Sequence, residues 1–110
     1  MAYLDNAATT RTSAAAIDAM RCVMEGEAFA NPASQHAAGD AALRALEGAR
    51  REVAACLHAR PSEVEFVSCG SEANNQALLT GAAYGACEGR RHIVASAIEH
   101  ASVLRMLDWL

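Results

Sequence analysis

Residues 66–75 read Phe-Val-Ser-Cys-Gly-Ser-Glu-Ala-Asn-Asn, and this run commits the middle of the chain to a strand that turns directly into a helix. Phe66 and Val67 are strand formers. Residues 68–71 are small enough for a tight turn, and helix formers follow. At such a turn the first backbone N–H groups of the helix have no partner inside it, and the helix dipole adds partial positive charge. The turn is therefore a natural seat for a phosphate group.

The flanking sequence fits the same architecture. Thr12 or Ser13 can cap a helix that runs to about residue 24, with Ile17, Met20 and Met24 on one face and Gly26 at its end. Residues 27–39 read as irregular, with a turn signal at Asn31-Pro32 and Gly39 closing the stretch. Periodicity is strongest over 40–58. There Leu43, Leu46, Val53 and Leu57 share a stripe, charged residues cover the remainder, and Asp40 is the expected N-cap. Pro61 and Ser62 break the pattern. A short strand is expected over 63–68, a helix rich in small residues over 71–87 with Gly89 at its end, and a second strand over 92–96. A loop with Ile98, Glu99 and His100 leads into a last helix.

The order helix, strand, helix, strand, helix is an α/β pattern. Strands joined by a helix are normally parallel, so both strands end at the same edge of the sheet. Ligands of open α/β sheets bind at that edge, where residues 68–71 and 97–100 both fall. Two strands are too few for a stable parallel sheet, so the expected fold is incomplete in this chain.

Composition narrows the field. Of the 110 residues, 27 are Ala and only five are aromatic, so a core would be thin. A net charge of −4 argues against nucleic acid or an anionic membrane as the main partner. The apolar runs are too short to span a bilayer. The opening Met-Ala-Tyr-Leu-Asp has no basic n-region and no apolar h-region, which makes the cytoplasm the expected location. The four cysteines show no metal-site spacing, and no metal is expected. Cys22, Cys56 and Cys87 read as small buried thiols. Cys69 lies in the phosphate turn, where a helix N-terminus lowers a thiol pKa. All nine basic residues are Arg. Without a lysine, this polypeptide alone cannot complete chemistry that needs a lysine Schiff base.

Four motifs occur in order: Leu4-Asp5-Asn6-Ala7-Ala8-Thr9-Thr10; Asn31-Pro32-Ala33-Ser34 with His36 and Gly39; Ser68-Cys69-Gly70-Ser71-Glu72-Ala73-Asn74-Asn75; and Ile98-Glu99-His100 with Ala101 and Val103. Their succession resembles the opening part of the cysteine desulfurases, pyridoxal-phosphate enzymes of the class V aminotransferase group. The resemblance implies the N-terminal portion of a fold type I large domain, a mostly parallel sheet with helices, working as a homodimer. In these terms the chain is one partial domain. Residues 1–39 are the N-terminal segment and loop, and residues 40–110 begin the domain that binds pyridoxal 5'-phosphate. The implied reaction takes sulfur from L-cysteine as an enzyme persulfide and leaves L-alanine. The sulfur passes to an acceptor scaffold protein for iron–sulfur clusters or thio-modified molecules.

The resemblance also implies roles for individual residues. Gly70 and Ser71 match the turn that holds the cofactor phosphate. His100 matches the histidine that stacks on the pyridine ring and assists proton transfer. Asn6, Ala7 and Ala8 match a segment on the substrate side. His36 is expected to order a loop near the site or the dimer partner, and Glu72, Asn74 and Asn75 to brace the first helical turn. Taken alone, Ser71 reads equally as an ordinary N-cap serine, and His100 reads more often as a structural histidine. Relatives usually carry Gly where Cys69 stands, and a left-handed backbone there would strain Cys69. His58 and His92 have no matching role and are expected to be exposed. Two other readings remain open: a selenocysteine lyase or another class V enzyme, and a non-catalytic phosphate-binding or docking module.

Overall fold

The computed structural model describes residues 2–110. Met1, the first residue of the expected N-terminal segment, lies outside the described residues. Four α-helices form: α1, Ala14–Glu25; α2, Ala37–Cys56; α3, Gly70–Cys87; and α4, Ala101–Trp109. Two 3₁₀ turns, Glu27–Phe29 and Pro61–Glu63, flank α2. The chain divides into two compact units, one running to Glu65 and the other from Phe66 to Leu110.

In the first unit, a turn forms at residues 6–8. The N–H groups of Ala8 and Thr9 bond the Asp5 carbonyl at 3.2 and 3.3 Å. The Tyr3 hydroxyl closes the loop, lying 2.9 Å from the Asp5 carbonyl and 3.0 Å from that of Thr9. Ser13 caps α1 by accepting from the Ala16 N–H at 3.2 Å. The Asn31-Pro32 signal is a real turn, in which Asn31 accepts from Ala33 through its side chain and from Ser34 through its carbonyl.

The N-cap of α2 is His36 rather than Asp40. The His36 Nδ1 accepts from the Gly39 N–H at 3.2 Å, and Asp40 occupies the first turn, where its charge suits the helix dipole. Gly39 is buried, and a Cβ there would stand 2.2 Å from the Ser34 carbonyl oxygen. The segment 31–39 is thus tied by a turn, a cap and a close backbone approach that only glycine permits. The buried stripe of α2 is Gly39, Ala42 and Ala54, with Leu46 and Arg50 half-buried between them. Of the expected stripe of larger residues only Leu46 shares this face, and Leu43, Val53 and Leu57 are exposed. Small residues win because they let the adjoining turns approach closely. Arg50 donates to the Val64 carbonyl and pairs with Glu47 at 3.2 Å and Glu65 at 3.9 Å, fastening the segment after the second 3₁₀ turn to α2.

The C-terminus of α2 closes with N–H bonds from His58 to Ala55 and from Ala59 to Ala54, at 3.2 and 2.9 Å. This Schellman geometry puts His58 in the left-handed region at φ 52°. The end of α3 repeats it with the residue expected there: Gly89 has φ 75°, and the Gly89 and Arg90 N–H groups bond Ala86 and Gly85.

In the second unit, α3 packs on α4. The half-buried residues Asn74, Leu78, Ala82 and Gly85 of α3 and Ser102, Val103, Met106 and Leu107 of α4 mark that face. No residue of this unit is fully buried.

The expected strands over 63–68 and 92–96 are absent; among the described residues there is no strand. A strand satisfies its backbone only by pairing with a neighbour. Here the Val64 N–H instead bonds the Pro61 carbonyl at 3.2 Å, although Val64 has the extended backbone of a strand at φ −106°, ψ 120°. Without a sheet, Ala73, Ala77, Ala83 and Ala86 of α3 stay exposed. Cys22, Cys56 and Cys87 are exposed as well, contrary to the buried thiols expected. His58 and His92 are exposed as expected.

Two backbone substitutions test this description in opposite directions. Gly39→Ala forces the Ser34 carbonyl away and lowers stability by about 1–3 kcal/mol. His58→Gly relieves a left-handed residue and raises stability by ~1 kcal/mol. Denaturant unfolding reads both, and equal midpoints for the three proteins would contradict the two local geometries.

Candidate functional site

The N-terminus of α3 follows from its sequence. Cys69 is the N-cap, with an extended backbone at φ −164°, ψ 167°, so cysteine is accommodated there without strain. The first backbone bond into the helix runs from the Ala73 N–H to the Cys69 carbonyl at 3.1 Å. The N–H groups of Gly70, Ser71 and Glu72 therefore face outward with no helical partner. A Cβ on Gly70 would meet nothing within 4 Å, so the approach to this turn is open. Ser71 is exposed, and its hydroxyl has no hydrogen-bond partner among the described residues.

Glu72 braces the turn. Its carboxylate accepts from the Ser68 hydroxyl at 2.5 Å and from the Ser68 N–H at 2.7 Å. These two bonds, the hydroxyl's first, hold its pKa below the usual carboxylate range. The Cys69 thiol makes no capping hydrogen bond. It nevertheless lies beside the Glu72 and Ser71 N–H groups, with the Ser68 hydroxyl 3.8 Å away. The Glu72 N–H, then the Ser68 hydroxyl, then the Ser71 N–H lower its pKa against the opposing Glu72 charge. A thiol drawn toward anionic form here reports that the turn attracts negative charge.

The N-terminus of α4 is built on His100. Its Nδ1 accepts from the Ser102 N–H at 3.2 Å and lies 2.9 Å from the Ser102 hydroxyl. Asn74 of α3 donates through Nδ2 to that same hydroxyl oxygen at 2.9 Å. Asn74 thus bridges to α4 and does not brace its own helix turn as expected.

Ser71 and His100 line one cavity of ≈ 660 Å3 between α3 and α4. Ser102 and Asn75 stand in the same wall, and Arg105 and Trp109 extend it. Gly70 adjoins Ser71 at the helix start. Asn6, Ala7 and Ala8 belong to the other unit, where they form the turn described above. His36 caps α2 there and serves loop order. Sequence reasoning missed Arg105, Trp109 and the Asn74–Ser102 contact. Arg105 and Trp109 could have been found from helical spacing, which sets them one and two turns beyond Ala101. The Asn74–Ser102 pair left no such signal, because it joins two helices. No group of His, Cys, Asp and Glu residues that could hold a metal ion occurs among the described residues.

The sequence profile of the family described as Aminotransferase class-V matches residues 2–108. The chain is 45% identical over 108 residues to a cysteine desulfurase of Frankia sp. (strain EuIK1), covering 98% of this chain and 25% of that protein. It is 44% identical over 112 residues to an IscS-like cysteine desulfurase of Mycobacterium tuberculosis, covering 100% of this chain and 28% of that protein. A cysteine desulfurase of Cereibacter sphaeroides is 45% identical over 109 residues, covering 98% and 27%. No solved structure matches. With nearly its whole length matched, the chain belongs to the class V aminotransferase family. It spans about a quarter of the length of the curated relatives it matches.

The brace at α3 has a pH signature. Because the Glu72 pKa is lowered on folding, its contribution is complete above the ordinary glutamate range. That contribution fades as pH falls through the lowered value. In an NMR titration the Glu72 carboxylate should protonate below a free glutamate, with the Ser68 amide shift following it. Titration at the ordinary value would contradict the brace.

Proposed function

We propose that the protein carrying this chain is a pyridoxal 5'-phosphate-dependent cysteine desulfurase. It converts L-cysteine to L-alanine and hands the sulfur to an acceptor scaffold protein for iron–sulfur cluster or thio-cofactor assembly. It works as a cytoplasmic homodimer with the mostly parallel sheet of fold type I. Among the described residues no helix is long and apolar enough to cross a membrane, which agrees with this reading. The observation that carries it is the shared cavity wall of Ser71 and His100, in a chain matched end to end by proteins named cysteine desulfurase.

The residues present fit the cofactor. A phosphate group needs several donors with few competitors. The α3 N-terminus offers outward N–H groups at Gly70 and Ser71, a free Ser71 hydroxyl, and open space where Gly70 lacks a Cβ. The Cys69 side chain is exposed and can turn away from these donors. The bound cofactor supplies the electron sink that lets bonds at the amino acid Cα break. Gly70 and Ser71 would hold the phosphate end through their N–H groups and the Ser71 hydroxyl. His100, at the start of α4, gives the same cavity a flat imidazole able to lie against an aromatic ring. Its Nδ1 is engaged with Ser102, so the nitrogen left for proton handling is Nε2. Asn6, Ala7 and Ala8 are assigned to the substrate side.

The lysine required for a Schiff base must come from outside these 110 residues, because the chain contains none. The protein that carries this chain should release alanine and sulfide from L-cysteine when loaded with pyridoxal phosphate, and the 110-residue chain alone should not. Turnover by the short chain would refute that division. In the complete protein, Ser71→Ala should weaken cofactor affinity by about tenfold or more, the loss expected for one hydrogen bond to a charged group. Equal affinity in an absorbance titration would remove Ser71 from the phosphate seat.

A further inference from the structure

We propose that Asn74 and Ser102 are positioning residues that lock His100 with its ring proton on Nε2. The polarity of the chain Asn74–Ser102–His100 follows from one group whose direction cannot change. The Ser102 backbone N–H only donates, and it lies 3.2 Å from His100 Nδ1. A proton on Nδ1 would face that N–H, so Nδ1 is unprotonated and the neutral ring carries its hydrogen on Nε2. The Ser102 hydroxyl, 2.9 Å from the same Nδ1, must then donate to it. Its oxygen is left as an acceptor, and the Asn74 amide fills that place from α3 at 2.9 Å. Every step is fixed by the one before it.

Among the described residues, Asn74–Ser102 is the one side-chain hydrogen bond that joins α3 to α4. Asn74 and Ser102 are both half-buried, whereas His100 and Ser71 are exposed on the cavity side. The relay therefore ties the orientation of the His100 ring to the helix whose first turn holds Ser71. Its consequence rests on the cofactor reading above. In the resting protein, the neutral His100 presents a hydrogen-bond donor at Nε2 and has no lone pair there to accept a proton.

The test reverses the relay with one isosteric change. Asn74→Asp replaces the donating amide with a carboxylate that accepts. The Ser102 hydroxyl then turns to Asp and no longer donates to Nδ1. In the cofactor-free, full-length protein labelled with 15N, long-range proton–nitrogen correlations should show the wild-type His100 proton on Nε2. In Asn74→Asp the Ser102 N–H should keep the proton on Nε2, while the Nδ1 resonance shifts because it has lost the hydroxyl donor. Adding Ser102→Ala to Asn74→Asp removes a hydroxyl that no longer donates to Nδ1, and should leave that resonance where Asn74→Asp put it. A wild-type ring protonated on Nδ1 overturns the proposal, and so does an unchanged Nδ1 resonance in a folded Asn74→Asp protein. The wild-type spectrum decides the matter even where a variant fails to fold. An absorbance titration of the wild type with pyridoxal phosphate separates the two readings. Absence of binding there removes the cofactor assignment and leaves the tautomer result standing.

Discussion

Each helix in this chain begins with backbone N–H groups that need acceptors from outside the helix, and the answers to that need organise the structure. Ser13 answers for α1, and His36 answers for α2 through Nδ1. His100 answers for α4 in the same way. At α3 the N-cap is a cysteine that forms no capping bond, and the Glu72 carboxylate is spent on Ser68 rather than on the helix. α3 is therefore the one helix whose start is left to be completed by something else. A phosphate is the group best suited to complete it, since its oxygens accept from several N–H groups and its charge meets the positive end of the dipole.

The family motifs acquire physical meaning in these terms. The Asn31-Pro32-Ala33-Ser34 run with His36 and Gly39 is a turn, a cap and a glycine pressed against the Ser34 carbonyl. The Tyr3 hydroxyl fastens the turn at Asn6, Ala7 and Ala8. His100 is both a structural histidine and a member of the cavity wall, so the two readings of that residue do not compete.

Helices were legible in the sequence wherever local signals sufficed. Ser13 and Gly89 mark a start and an end where the rules of capping place them. The start of α2 was misplaced because Asp40 is the commoner cap, and nothing local announces that a histidine Nδ1 will take the role. Its buried stripe was misjudged because large apolar residues weigh more in a periodic pattern than Gly39, Ala42 and Ala54, whose value is close approach. The strands over 63–68 and 92–96 have strand composition but no ladder, because pairing is a property of neighbours and not of the segment itself. The Gly70-Ser71 turn and His100 were legible as motifs. Asn74–Ser102 was not, since it depends on how α3 and α4 pack.

The central claim is that the start of α3 and the start of α4 hold the two ends of one cofactor. A crystal structure of the protein that carries this chain, loaded with pyridoxal phosphate, tests it most directly. The account predicts the phosphate within hydrogen-bond distance of the Gly70 and Ser71 N–H groups and the Ser71 hydroxyl, with the His100 ring lying against the pyridine. A phosphate seated elsewhere, with Ser71 and His100 both free of the cofactor, would contradict it.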